Sequence, residues 1–368
     1  MGVFEAADRV DPAPRSLIVT SRMRDLLGRL GERAIVNEIH RFELFANGKV
    51  AAIPLQRPDL VIERATLIRG LAEQAASCGV EISVGQRFTH LEPHGKGITL
   101  SVEHTQRRGS EKVAARTVIG ADGAFSKVAR TAGWTPQPTV PLIQALVELP
   151  QDLAPDTTRV WFLPEDTPYF YWLIPESKKR GVLGLIGEDG GQTRRALERF
   201  LGRRGITPLE FQGARIPLYR GWTPTRRRLG GGEVYLVGDA AGHVKVTTVG
   251  GIVTGFQGAL GVAEEIIKGG SSRALRTLQR ELDLHLLIRK ALHHFVQEDY
   301  VRLLDLLNPS AKRSLSAFSR DEVSQVLRRI ILSQPRFLLL GLRSLLSGGS
   351  LSTNTFGLCL RALLKAHS

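Results

Sequence analysis

The stretch Val234-Tyr-Leu-Val-Gly238-Asp239-Ala240-Ala241-Gly242-His243-Val244-Lys245-Val246-Thr247-Thr248-Val249-Gly250-Gly251-Ile252 decides the fold. An apolar run makes a buried strand that ends in Gly-Asp, a turn in which the carboxylate is free to accept hydroxyl groups of a polyol. Gly250-Gly251 then opens an apolar segment, Ile252 to Lys268, stopped by Gly269-Gly270. The first N–H groups of such a helix have no partner within it and suit a phosphate or carbonyl oxygen. Strand, Gly-Asp turn and helix start together predict a ligand cradle, although an ordinary strand-to-helix turn uses the same residue types.

A second segment upstream has the same logic. Val118-Ile119-Gly120-Ala121-Asp122-Gly123-Ala124-Phe125-Ser126-Lys127-Val128-Ala129-Arg130 is an apolar strand ending in Gly-x-Asp-Gly, with Ser126 placed to cap the next helix. The two segments, in this order, resemble the paired fingerprints of flavin-dependent hydroxylases and reductases. Gly-Asp-Ala-Ala-Gly followed by Lys245, Thr247-Thr248 and the Gly-Gly pair resembles most closely the geranylgeranyl reductase family. The chain departs from that family at Val246, where proline is usual, and at Val249, where a further glycine is common.

The resemblance implies an α/β fold: a Rossmann-like FAD-binding domain with an antiparallel-sheet substrate domain and a helical C-terminal region. It implies FAD as cofactor, held by Asp122 and Gly123 of one fingerprint and by Gly238, Asp239, Gly242, Gly250, Gly251 and Ile252 of the other. Arg64, at the start of a predicted helix, matches an arginine that relatives place near the cofactor phosphates; a surface arginine at a helix start reads the same way. NAD(P)H or ferredoxin would reduce the flavin, which would deliver hydride to a carbon–carbon double bond of an isoprenoid or other hydrophobic substrate while an acid supplies the proton. Two alternatives remain: a flavin monooxygenase or halogenase, and a cofactor-free lipid-binding or partner protein.

A G-x-G-x-x-G turn should open such a domain, because its glycines let the backbone approach the pyrophosphate. No such cluster stands near Met1. Gly2-Val3-Phe4-Glu5-Ala6 instead reads as the end of the second strand, with Glu5 in the ribose-binding position about 20 residues past the glycines, or as a solvated charge near the terminus. The FAD-binding domain is therefore expected to be N-terminally incomplete. Either the natural protein has roughly 30 further residues upstream, the size of one βαβ unit, or flavin binding is crippled. Many geranylgeranyl reductases carry a cysteine in the loop after the second strand; here that loop reads Arg15-Ser-Leu-Ile-Val-Thr20.

Arg64 to Ser77 carries Leu67, Leu71 and Ala75 at helical spacing, and Val80 to Val84 alternates as a strand, a third βα step. From Val140 to Pro217 the pattern is of alternating strands, better suited to an antiparallel sheet. Alternation aligns Phe170, Trp172 and Ile174 on one face of that sheet as a candidate substrate wall; core packing accounts for the same face. After Gly251 the chain turns helical, with Leu/Ile stripes over Leu275 to Leu307 and Asp321 to Leu346 and Pro335 breaking the last. The expected division is 1–139 and 221–270 for the cofactor domain, 140–220 for the substrate domain and 271–368 for the helical region.

Composition narrows the function classes. With 368 residues the chain exceeds a usual single core. Cys78 and Cys359 are too few for a disulfide framework, and no signal peptide or bilayer-length apolar run stands out, which points to the cytoplasm. The net charge of +14 comes with short, scattered basic clusters such as Arg226-Arg227-Arg228 and Lys178-Lys179-Arg180, without interleaved aromatics, which excludes nucleic acid as the expected partner. Peripheral contact with anionic lipid headgroups, or a merely basic surface, explains the charge. No metal-ligand spacing appears, His293-His294 sits on two helix faces, and sequence alone identifies no catalytic residue, electron donor or oligomeric state.

Overall fold

The computed structural model describes residues 1–347. Its largest element is an eight-stranded sheet with spatial order Pro208–Pro217, Thr139–Glu148, Arg180–Ile186, Tyr171–Pro175, Thr157–Trp161, Ile35–Ala46, Lys49–Glu63 and Ser16–Val19. Every neighbouring pair is antiparallel except Thr157–Trp161 with Ile35–Ala46. The sequence reading confined this sheet to 140–220. In fact three of its strands come from the first 63 residues, because Ile35–Ala46 and Lys49–Glu63 form a long hairpin around the Asn47-Gly48 turn. Asn47 and Gly48 both adopt positive φ there, the turn geometry that suits a tight hairpin. Arg15 to Thr20 is not a loop: Ser16–Val19 is the last strand of the sheet, paired with Leu60 to Glu63.

Period-two alternation assigns the two faces. Tyr171 and Leu173 point into a core with Leu183, Leu185 and the helix Gly190–Arg204, whose Leu197 and Phe200 are buried. Each such side chain contributes about 2–3 kcal/mol by burial. Trp172 and Ile174 point the other way, against Ile39, Val61 and Ile186. Gly184 makes room for the indole: a Cβ there would stand 2.7 Å from Trp172 Cζ2 and 2.6 Å from the Gln144 Cβ.

The cofactor-type layer is smaller and in two pieces. Gly2–Phe4 pairs in parallel with Glu81–Ser83, which follows the helix Arg64–Ser77, as a βα step requires. Thr117–Gly120 pairs in parallel with Gly232–Leu236, which pairs in turn with Arg226–Leu229. Phe4 and Val118 pack on one apolar cluster, yet among the described residues Gly2–Phe4 and Thr117–Gly120 each have a single strand neighbour. A three-stranded meander, Gln86–His94, Gly97–His104 and Ser110–Ala115, covers this layer.

The C-terminal part is helical, as its stripes predict. Ile252–Lys268 begins and ends at the expected glycines, and Arg273–His293, Gln297–Asp305 and Pro309–Ala317 follow. Pro335 separates Val323–Ser333 from Arg336–Ser347. Phe295, Tyr300 and Leu304 close onto Ala46, Ala51 and Ile53 of the long hairpin, and Phe162 stacks on Tyr300 with ring centroids 4.5 Å apart. No helix among the described residues is long and apolar enough to cross a membrane. Cys78 is exposed, and Cys359 lies outside the described residues.

Candidate active site

A cavity of about 1140 Å³ runs between the large sheet, the Gly-Asp turn and the C-terminal helices. Its size exceeds the range of roughly 300–1,000 Å³ common for small-ligand pockets. At one end stand Asp239, Gly250, Gly251 and Ile252, together with Arg15 and Arg64. Phe170, Trp172 and Ile174 form part of its wall. From there it continues beneath Tyr300, Leu303, Leu307 and Phe337 of the helical region.

Local sequence explains the cradle. The strand Gly232–Leu236 delivers the chain into a short 3-10 turn, Gly238–Ala241, where Gly238 takes φ 59° and Gly242 takes φ 72°. Asp239 is half-buried in this turn, and its carboxylate has no hydrogen-bond partner among the described residues. Burial raises its pKa, opposed by the Arg64 charge. Facing it, Ile252–Lys268 has Gly251 as N-cap with no capping side chain, so its first N–H groups are free to meet a ligand. The chain reverses between these parts through Val249 at φ 51°, a strained conformation for a β-branched residue. The family glycine that Val249 replaces would adopt it without cost.

Arg64 opens the helix Arg64–Ser77, whose N-cap Glu63 accepts from the N–H groups of Ala65 at 2.8 Å and Thr66 at 2.7 Å. Glu63 also accepts from the Arg15 N–H at 3.3 Å, which brings Arg15 beside Arg64. Burial and the Arg64 charge both lower the Arg15 pKa, and its Nε and Nη2 are buried without a hydrogen bond. Two adjacent guanidinium groups at one end of a cavity, one with unmet donors, suit an anionic ligand. Arg15 carries no signal of its own in the sequence, since a lone arginine just before a short strand means nothing until Glu63 draws it to Arg64.

The other fingerprint residues lie elsewhere. Asp122 is exposed and turns onto its own helix, accepting from Ser126 Oγ at 2.5 Å, Lys127 N at 2.6 Å and Val128 N at 3.0 Å. Ser126 caps Lys127–Thr131 as predicted, accepting from Ala129 N at 2.9 Å. Asp122 and Gly123 therefore organise a turn and do not line the cavity. Glu5 follows its strand as expected, but is exposed and accepts from Ala7 N at 2.8 Å, outside the cavity.

A polar cluster unseen in the sequence sits beside the cradle. Lys245, 6% exposed, donates to Asp321, 3% exposed; Thr20 donates to the same carboxylate, and Arg320 pairs with Asp59 at 2.5 Å. Burial opposes ionisation of Asp321, yet Lys245, its hydrogen bonds and Arg320 together keep its pKa below the ordinary value. Asp59 is raised by burial. His285, bonded through Nδ1 to Thr247 Oγ1 at 2.6 Å, is lowered to about 3 by burial and by Lys245. Lys245 belongs to the quoted fingerprint, but its partners come from distant segments, and nothing local announces them.

An α/β cofactor layer, an antiparallel sheet across its ligand end, and a Gly-Asp turn facing a bare helix start define a flavoprotein of the FAD-binding class. The chain belongs to the FAD binding domain family, whose model matches residues 3–279. It is 30% identical over 239 residues to digeranylgeranylglycerophospholipid reductase 2 of Methanopyrus kandleri, a match covering 60% of this chain and 58% of that relative. With digeranylgeranylglycerophospholipid reductase 2 of Methanothermobacter thermautotrophicus it shares 28% identity over 73% of each chain. The chain thus spans a little over half of the first relative and nearly three quarters of the second. The crystal structure of a geranylgeranyl bacteriochlorophyll reductase-like protein from Thermoplasma acidophilum superimposes with a TM-score of 0.72 at 16% identity, covering 89% of this chain and 88% of that one. That likeness establishes the fold.

FAD fits the residues present: a half-buried carboxylate without a hydrogen-bond partner, free helix N–H groups and two adjacent arginines are the kinds of group that hydroxyls, carbonyl oxygens and phosphates call for.

Proposed function

We propose that the protein is an FAD-dependent reductase of carbon–carbon double bonds in a long, apolar, isoprenoid-like substrate. The observation that carries this reading is the continuity of the cavity from the Asp239 cradle to the greasy interior of the C-terminal helices. Asp239 would hold the ribityl hydroxyls, the Gly251-Ile252 helix start the ring carbonyl, and Arg15 and Arg64 the phosphates. FAD, when bound, supplies the hydride, with NAD(P)H or ferredoxin as the source of its electrons.

The chain's own task is positional. Phe170, Trp172 and Ile174 press an alkene against the cofactor end, and the aliphatic lining keeps water from the reacting carbon. The names of the methanogen relatives, both lipid reductases, support the substrate class. Peripheral contact with a lipid surface belongs to the same reading.

The test is anaerobic reoxidation of the reduced flavoprotein, with polyprenyl lipids and small aromatics presented separately. Reoxidation by polyprenyl lipids without oxygen is expected. Reoxidation by an aromatic only once oxygen is admitted, with none by lipids, replaces the reductase by an oxygenase. In Trp172→Ala the bound flavin should remain while turnover of long chains falls, because the indole lines the wall and not the Asp239 cradle.

A further inference from the structure

The two last described helices have two faces with different chemistry. Val326, Leu327 and Ile330 of Val323–Ser333, and Phe337, Leu338 and Leu342 of Arg336–Ser347, line the cavity from above. The opposite face of the first helix carries Gln325, Arg328, Arg329 and Leu332, all exposed and spaced at helical periodicity. The second presents Arg336 and Leu339 in the same way. Leu332 is 76% exposed and Leu339 65%, so each helix holds out one large apolar side chain next to arginine.

Charge along the chain is segregated. From Val323 to Ser368 the sequence has six basic residues, Arg328, Arg329, Arg336, Arg343, Arg361 and Lys365, and no aspartate or glutamate. A solvated surface of a soluble domain ordinarily intersperses both signs. Glu322 closes one end of this face, accepting from Gln325 and pairing with Arg22, and beyond it the face is basic and studded with single leucines. Such a face is complementary to an anionic lipid surface, where arginine meets the headgroups and leucine enters the acyl boundary. A nucleic-acid surface would need neither leucine, and it would call for aromatic or polar groups to meet bases.

We infer that the outer face of Val323–Ser333 and Arg336–Ser347 docks on an anionic bilayer, so that the roof of the cavity lies against the membrane that supplies its apolar substrate. This rests on the reductase reading for the nature of the substrate, but the docking itself does not require turnover.

The test is co-sedimentation of the flavin-loaded full chain with phosphatidylcholine vesicles, with and without phosphatidylglycerol. Each basic residue at such a surface is worth about fivefold in partitioning. Arg328→Glu combined with Arg329→Glu should therefore lower binding to the anionic vesicles by about 25-fold or more, and added salt should do the same to the unmodified protein. Leu332→Ser combined with Leu339→Ser should weaken binding without changing its salt dependence. Lys178→Glu with Lys179→Glu, the same change of charge on a distant exposed turn, should leave it unaltered.

Equal binding to both vesicle types, an equal loss in the Lys178/Lys179 variant, or displacement from vesicles by a DNA duplex at physiological salt overturns the proposal. Flavin reoxidation by detergent-dispersed polyprenyl lipid separates the two readings. If the roof variants lose vesicle binding but keep reoxidation, docking and catalysis both stand. If no form is reoxidised yet vesicle binding follows the arginines, the reductase reading falls and the docking surface remains.

Discussion

Removing the charge of Asp321 tests the polar cluster beside the cradle most directly. Asp321→Asn keeps the shape of the side chain but leaves Lys245 an ammonium in a site where the lysine is 6% and the aspartate 3% exposed. Breaking a buried ion pair from one side costs about 3–5 kcal/mol, most of it the cost of the uncompensated charge. Asp59 couples electrostatically to both Lys245 and Asp321 and takes over part of the lost charge, which places the expected loss near the lower end, at about 3 kcal/mol. For a chain of 368 residues the unfolding entropy is about 0.8 kcal/mol per kelvin, so the melting temperature should fall by about 4 °C.

Lys245→Met in the same chain should restore much of that loss, because the orphaned cation is then gone. The pH dependence has a definite sign. Asp321 has a lowered folded pKa, so its contribution is full above the unfolded value of about 4 and disappears as pH falls through the folded one. The gap between parent and variant should accordingly close in acid. A single variant that melts within 1 °C of the parent, as an order of magnitude for no effect, or a double variant worse than the single, would refute the reasoning.

Three further outcomes are expected. Asp239→Ala should lower FAD affinity about tenfold or more, as a charge-assisted hydrogen bond of about 1.5–3 kcal/mol is lost; unchanged binding in a fluorescence titration removes Asp239 from the site. At Val249, with φ 51°, the glycine variant should be more stable than the alanine variant by about 1 kcal/mol, reversing the order found in ordinary extended or helical backbone; the usual order in denaturant melts would show that no strain resides there. His243 is buried with neither ring nitrogen hydrogen-bonded and its pKa lowered to about 4, so the unfolded chain binds its proton more tightly and stability falls as pH drops below about 6.5. His243→Phe, which keeps a ring against Trp222, should remove about 2 kcal/mol of that loss at pH 5, and a parallel pH profile in the variant would count against it.

The turn and helix start at the Gly-Asp end of the cavity were legible because their signals are local. Gly238-Asp239 and Gly250-Gly251 are turn and helix-start chemistry within one short stretch, and the boundaries of Ile252–Lys268 follow from the flanking glycines. Strand alternation likewise placed Phe170, Trp172 and Ile174 on one face. What escaped depends on pairing between distant segments. The long hairpin at 35–63 alternates poorly because it meets apolar neighbours on both faces: Leu44, Ala51 and Ile53 pack on the C-terminal helices, with Leu44 and Ile53 lining the cavity, while Phe45 stacks on Trp161 in the opposite core, so no clean apolar-polar pattern marks its strands. Asp122 shows the opposite failure: a Gly-x-Asp-Gly string fits a cofactor turn and a self-capping turn equally, and only the Ser126 and Lys127 hydrogen bonds decide its local role.

The division of the parallel layer has a consequence for how the molecule breathes. Among the described residues Gly2–Phe4 and Thr117–Gly120 each keep one side of main-chain N–H and C=O groups unladdered, with Val3 and Ile119 40% and 44% exposed. Strands held from one side open at a fraction of the free energy that protects a central strand. Amide exchange should therefore be fast along these two rims and slow in Tyr171–Pro175, and the rims are where an extended segment of another chain gains the most by adding itself. Gly232–Leu236, which carries the Gly-Asp turn, is anchored on one flank to such a rim. A strand seated there would stiffen the Asp239 cradle through its scaffold, without touching the ligand at all.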